Sequence, residues 1–364
     1  MNLILLKALL EAAAPSGSEE RAAAVFLEEA RTFADRTYTD HFGNVYAEIG
    51  PSEGRPRVLE AHIDEIGVMV SHVDQEGNVY FHEIGGMDKA IYVGARVRLL
   101  APGGDLIGVV GRKPIHLMSG EEKVAGIKLE ELSLDLALEP DEVKKRVPNG
   151  TVGVLEAPVL FVGQRVVSRA LDNRIGVYAV LEALRQLKNR GCTERIVLVG
   201  SVQEEVGHYG AKMAAYGLDP LEALVVDVTF ETSQSGVDVK RLGESPFGSG
   251  VNLCVMPILH SGLRKKLERT ATAHNLPFTV TSGSSVQKSF SNADDFTLSR
   301  RGVPTALLSI PCRSMHSPGE QVDLRDVEAC IRLMVEYVLE SAGADTTTIL
   351  DELKPHSVGS VDGP

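Results

Sequence analysis

The stretch VLVGSVQEEVGHYGA, Val197 to Ala211, opens as an apolar run and closes in a polar turn punctuated by glycines. Glu204 and Glu205 stand side by side where the two halves meet. Adjacent like charges at the end of a buried strand are costly unless something compensates them. Two further runs, ALVVDVTF and PTALLSIP, share the apolar signature of RIVLVGSVQ. Continuous runs of this kind are typical of strands buried on both faces of an α/β sheet. A helical pattern precedes the quoted stretch. In DNRIGVYAVLEALRQLKNRG, Ile175, Tyr178, Leu181, Leu184 and Leu187 share one face, and Gly191 supplies a stop.

Working outward, the first 65 residues alternate helix and strand. Ser16 with Glu19 predicts a capping box opening the helix EERAAAVFLEEARTFA. NVYAEIG and RVLEAHID read as strands. Between about Val70 and Leu160 the texture changes. VYFHEIGG, ARVRLLAP, DLIGVVG, LSLDLAL and TVGVLEAPVLFVG are short alternating strands separated by Gly and Pro. EPDEVKKRV is the best helix among them. The expected fold class is α/β, with one domain split over 1–69 and 161–345. Its mixed sheet is flanked by helices. An inserted small β-barrel-like domain covers 70–160, and a loose polar tail covers 346–364.

The chain has 364 residues, 43% of them hydrophobic, so a sizeable core is possible. Its net charge of −13 and lack of a dense Lys/Arg run argue against nucleic acid or an anionic membrane as partner. The N-terminal MNLILLKALLEAAAPSG lacks a basic leader region, and Lys7 and Glu11 interrupt its apolar run. Leu3, Leu6 and Leu10 follow helical spacing instead. No run approaches the ~20 apolar residues of a membrane span. Cys192, Cys254, Cys312 and Cys330 are scattered without a CxxC pair. They read as reduced thiols of a cytoplasmic protein.

Acidic and imidazole groups gather at strand ends. VLEAHIDEIG places His62 and Asp64, VSRALDNRIG places Asp172, and VGSVQEEVG places Glu204 and Glu205. ALVVDVTF supplies Asp227, and SIPCRSMHSP supplies His316. Taken singly, each has a plainer reading. Asp172 suits a helix N-cap, His316 a loop histidine, His62 a core histidine, and Asp227 a strand-end turn. As a set they suit the carboxyl-end crevice of an open α/β sheet. A divalent metal compensates buried carboxylates, and zinc accepts His and Asp/Glu at ~2.0–2.2 Å. Two metals about 3.5–4 Å apart need a bridging carboxylate and further ligands. His62, Asp172, Glu205, Asp227 and His316 are the candidate ligands. Glu204 adds the carboxylate that balances two divalent ions, and it is placed to hold the attacking water. Asp64, two residues beyond His62 on the same strand face, is placed to accept the second imidazole N–H.

These motifs bear a resemblance. AHIDEIGVMV, RALDNRIG, QEEVGHYGA, VVDVTF and RSMHSPGE resemble, in order and spacing, the tetrahedral or glutamyl (deblocking) aminopeptidase family. APSGSEE also resembles the family's opening, and the resemblance runs to about Glu340. It implies a co-catalytic aminopeptidase with two divalent ions per subunit, zinc or cobalt foremost and manganese admissible. It also implies peptide substrates and large homo-oligomers, often dodecamers, assembled with help from the insertion. By motif, His62 and Asp227 would hold one metal and Glu205 and His316 the other. Asp172 would bridge them, Glu204 would act as general base, and Asp64 would orient His62. Three places depart from the pattern. SNADDF, Ser291 to Phe296, stands where a GGTDA-like loop is common. Ser314 replaces an aromatic, and His208-Tyr209 stands where a basic residue often follows the Glu pair.

The same apparatus would serve an amide deacylase, which would not require a free α-amino group on its substrate. A non-catalytic, metal-stabilised scaffold would tolerate loss of Glu204. A glycosidase needs carboxylates flanking a sugar ring, which adjacent Glu residues with histidines fit poorly.

Overall fold

The computed structural model describes residues 1–283 and 285–342. The predicted tail lies outside them. Among the described residues an eleven-stranded mixed sheet carries the chain. At its centre Ile196–Ser201, Arg57–His62, Glu222–Phe230 and Thr305–Arg313 run parallel as neighbours. The register sets His62 beside Ser201 and Asp227 beside Ser309. The carboxyl ends of these strands therefore open on one side.

Both faces are covered, as the unbroken apolar runs require. Leu198 and Leu59 point into a core shared with helices Leu3–Glu11, Glu20–Ala30, Leu171–Asn189 and Leu324–Glu340. Val197, Val199 and Val58 point the other way, onto Ala211, Ala214 and Ala215 of helix Tyr209–Leu218 and onto Ala293 and Phe296. This is the period-2 alternation of a strand. Ile175, Tyr178, Leu181, Leu184 and Leu187 are all buried in the first core. Gly210 lets helix Tyr209–Leu218 abut the sheet. A Cβ there would lie 2.4 Å from both Asn44 Oδ1 and the Val202 carbonyl.

The insertion closes on itself. Gly67–Val73, Val79–Ile84, Ser133–Asp135, Leu106–Gly111, Arg96–Leu99 and Val152–Leu155 form a closed six-stranded barrel in that order. Val68, Val70, Phe81, Val97, Leu99 and Leu134 fill it. Closure removes the free edges that short strands would otherwise expose.

Three local expectations differ from the structure. The chain segment TVGVLEAPVLFVG divides: Val152–Leu155 stays in the barrel, while Leu160–Val162 returns to the edge of the large sheet. Ser16 and Glu19 do not form a capping box. Glu19 is itself the N-cap, without a side-chain capping bond, and Ser16 Oγ donates to Asp64 Oδ2 at 2.6 Å. The buried stripe of the first helix is Leu5, Leu6, Leu9 and Leu10, and Leu3 is exposed. The four cysteines are free, and among the described residues no helix is long and apolar enough to cross a membrane.

Candidate active site

The site is assembled at the carboxyl ends of the parallel strands. His62 ends its strand, Asp227 lies within its own, and Glu204 and Glu205 follow Ser201 by a short turn. His316 follows Thr305–Arg313. Asp172 stands at a kink in the first turn of helix Leu171–Asn189, and its peptide bond to Asn173 is cis. Several connecting residues are held in the left-handed region: Ala170, Gln203, His208, Ser314 and His316. Such backbone costs of order 1–3 kcal/mol per non-glycine residue and collects at functional sites.

These turns bring all the sequence-predicted residues together. His62 Nε2 lies 3.2 Å from Asp172 Oδ1 and 3.9 Å from both Glu204 Oε2 and Asp227 Oδ1. His316 Nε2 lies 3.4 Å from Asp172 Oδ2 and 3.4 Å from Glu205 Oε2. Asp172 thus stands between the two imidazoles. His62, Asp172 and Glu205 bring ligand-type atoms within 4.8 Å of one another, and so do His62, Glu204 and Asp227. The second trio includes Glu204, the carboxylate expected to act as base.

Supporting contacts fix these groups. Asp64 Oδ1 lies 3.2 Å from His62 Nδ1 but off hydrogen-bond alignment. The same carboxylate accepts the backbone N–H groups of Glu204 and Glu205, each at 3.1 Å. His316 Nδ1 donates to the Gly86 carbonyl at 2.6 Å, so the barrel's loop leaves Nε2 facing the acids. Glu320 was not anticipated. Its carboxylate accepts the Asp172 N–H at 3.0 Å and the His316 N–H at 2.8 Å, tying two of the candidate ligand loops together. Only its place four residues after His316 could have hinted at it.

The electrostatics show what the cluster lacks. Among the described residues, the ion-pair partners of Asp172, Glu204, Glu205 and Asp227 are all imidazoles. Burial, with Asp227 and Glu205 nearby, holds the Glu204 carboxyl well above its usual range. Burial and Asp172 do the same to Asp227, and burial outweighs His316 to raise Glu205. Asp172 alone is held low, because its two imidazole partners overcome its burial. Burial opposes charge on His316, but Asp172 and Glu205 push its pKa up to about 11. Burial likewise opposes charge on His62, and Glu204, Asp172 and Asp64 overcome it. Buried acids in such excess over cations, mixed with imidazole, form a donor set that fits divalent metal ions.

The cluster lines a cavity of about 260 Å³. Its other walls include Phe230, Cys254, Met256, Leu307 and Met315. Asp294, in the departing SNADDF segment, accepts from Ser289 N and Oγ and so braces the adjoining loop.

Fold and donor set together define an α/β protein with an inserted barrel and a crevice whose donors suit divalent metal ions. The comparisons narrow the class. The sequence pattern described as M42 glutamyl aminopeptidase matches residues 43–333, and the chain belongs to that family. It is 32% identical to a lysyl aminopeptidase of Pyrococcus furiosus, over 96% of this chain and 97% of the relative. Its structure is similar to a TET aminopeptidase from a marine-sediment Thaumarchaeota archaeon, with TM-score 0.90 and 26% identity over 96% and 98% of the two chains. It is also similar to the Pyrococcus horikoshii TET1 peptidase, which can assemble into a tetrahedron or a large octahedral shell. There the TM-score is 0.82, with 28% identity over 92% and 98% of the chains. The chain is accordingly a metal-dependent aminopeptidase, a hydrolase.

Proposed function

We propose that this aminopeptidase removes N-terminal residues from peptides with two divalent ions per chain and Glu204 as general base. His62, Asp172, Glu205, Asp227 and His316 would hold the ions, zinc or cobalt before manganese. Bound there, the ions would polarise the scissile carbonyl and acidify water. The observation that carries the reading is the clamp by Asp64 on the consecutive amides of Glu204 and Glu205. It turns neighbouring carboxylates into one cavity, so one can ligate while the other moves a proton. Glu204 takes a proton from the attacking water and returns it to the leaving amine. Asp64, 3.2 Å from His62 Nδ1, would set the His62 ring. Met256, Leu307 and Met315 form apolar walls of the cavity that the acids line.

The working form in this proposal is a cytoplasmic homo-oligomer. Residues 1–69 and 161–345 would form the catalytic domain, and the insertion 70–160 would supply subunit contacts.

Glu204→Gln preserves size and hydrogen bonding but removes the base. It should lower kcat by roughly 10²–10⁴-fold while metal content stays at the wild-type level. Glu205→Gln should lose metal and activity together. Retained activity in Glu204→Gln, or metal loss there but not in Glu205→Gln, reverses the assignment.

A further inference from the structure

Next to the Glu pair, His208 sits at the N-cap of helix Tyr209–Leu218 with φ of 57°. An N-cap side chain ordinarily bonds the helix's free N–H groups. That of His208 makes no capping bond. It turns instead toward two carboxylates. Nδ1 lies 2.8 Å from Asp295 Oδ2, and Nε2 lies 3.3 Å from Glu204 Oε1. Asp295 comes from a different helix, Ala293–Thr297, and has Lys212 Nζ at 3.9 Å behind it. The other Glu204 oxygen, Oε2, is the one that faces His62. Asp295, His208 and Glu204 therefore form a continuous line from the protein flank to the cluster.

We infer that His208, oriented by Asp295, is a positioning residue that holds Glu204 Oε1 so that Oε2 is presented to the reaction. The inference rests on the reading of Glu204 as the base. His208 does not line the cavity that contains the cluster, so it acts through Glu204 and not on substrate. The geometry follows the logic of an imidazole fixed by a carboxylate. Once Nδ1 donates to Asp295, Nε2 is the nitrogen left for Glu204. The approach of Nε2 to Oε1 at 3.3 Å, a close polar contact off hydrogen-bond alignment, completes the line. A free glutamate rotates about its terminal torsion, and a base that wanders by an ångström loses rate steeply. The left-handed backbone at residue 208 is what aims the ring, and glycine would adopt it at less cost.

The two ring nitrogens can be separated by substitution. Glutamine places its amide near the position of Nε2, and asparagine places its amide near that of Nδ1. His208→Asn should lower kcat roughly 10–100-fold, the range for losing a supporting partner of a catalytic group, with KM, thermal midpoint and metal content unchanged. His208→Gln should stay within a few-fold of wild type. Asp295→Asn, reaching the same line from the other helix, should lower kcat in the same direction. In a Glu204→Gln background, His208→Asn should cause no further loss. The inference is overturned if His208→Asn and Asp295→Asn keep kcat within about twofold, or if Gln and Asn at 208 behave alike. Glu204→Gln alone separates the two ideas. If it retains activity, the base assignment fails; if it loses activity while the 208 and 295 variants do not, only the positioning role fails.

Discussion

Asp64 accepts the backbone N–H of Glu204 at 3.1 Å with the same oxygen that lies 3.2 Å from His62 Nδ1. One fully buried carboxylate thus couples the end of one parallel strand to the turn after its neighbour. Its other oxygen takes the Glu205 N–H and the Ser16 hydroxyl. Asp64→Ala removes every one of these contacts. Activity and metal affinity should each fall by roughly 10–100-fold, read by initial rates and by competition with a chelating dye. Wild-type metal affinity together with wild-type kcat would show that the clamp is dispensable.

Metal removal is the second test. Glu204, Glu205 and Asp227 are held above the usual carboxylate range by burial and by neighbouring acids, Asp227 and Glu205 beside Glu204 and Asp172 beside the other two. They therefore keep protons at pH values where exposed acids have lost them. A divalent cation must displace those protons, so binding should release protons and weaken as pH falls. Calorimetry in buffers of different ionisation enthalpy measures the release. Exhaustive chelation should abolish hydrolysis, and restoration should saturate near two ions per chain. A chelated preparation with full activity would end the two-ion reading.

Assembly supplies the third. Leu160, Phe161 and Val162 form an edge strand exposed at every position, and the barrel exposes Met69, Ile107 and Val109. Exposed apolar edges invite pairing with another chain. Replacing residues 70–160 with a short linker should reduce the particle mass seen by light scattering. An unchanged mass would place the subunit contacts elsewhere.

The parts of this molecule legible in its sequence are those whose signal is local. RIVLVGSVQ and ALVVDVTF read as buried strands because both faces are apolar, and the polar groups at their ends stand out against that background. Ser16 was misread because its hydroxyl is claimed by Asp64, 48 residues away, and not by its own helix. Glu320 escaped notice because it serves backbone amides, which leave no mark in the sequence. His208 was visible as a departure from the family pattern. Its line to Asp295 depends on how two helices pack, 87 residues apart in the chain.

The last prediction concerns Glu60, two residues before His62 and fully buried. Its Oε1 accepts from Ser201 Oγ at 2.5 Å and from Asn292 Nδ2 at 2.8 Å, while Oε2 has no partner. Burial pushes its pKa up to about 7, from about 4.3 in an unfolded chain. The sign follows from proton counts. Between those two values the folded state holds a proton that the unfolded state has lost, so stability falls as pH rises through that window. Above pH 7 the loss levels off at about 4 kcal/mol, since each pH unit of displacement is worth ~1.4 kcal/mol. Glu60→Gln keeps the accepting oxygen and carries no titrating proton. The variant should therefore match wild type near pH 4 and exceed it in thermal midpoint at pH 8. The difference should open between about pH 4.5 and 7. A midpoint difference that is flat across this range would mean that Glu60 ionises in the folded protein as readily as in water.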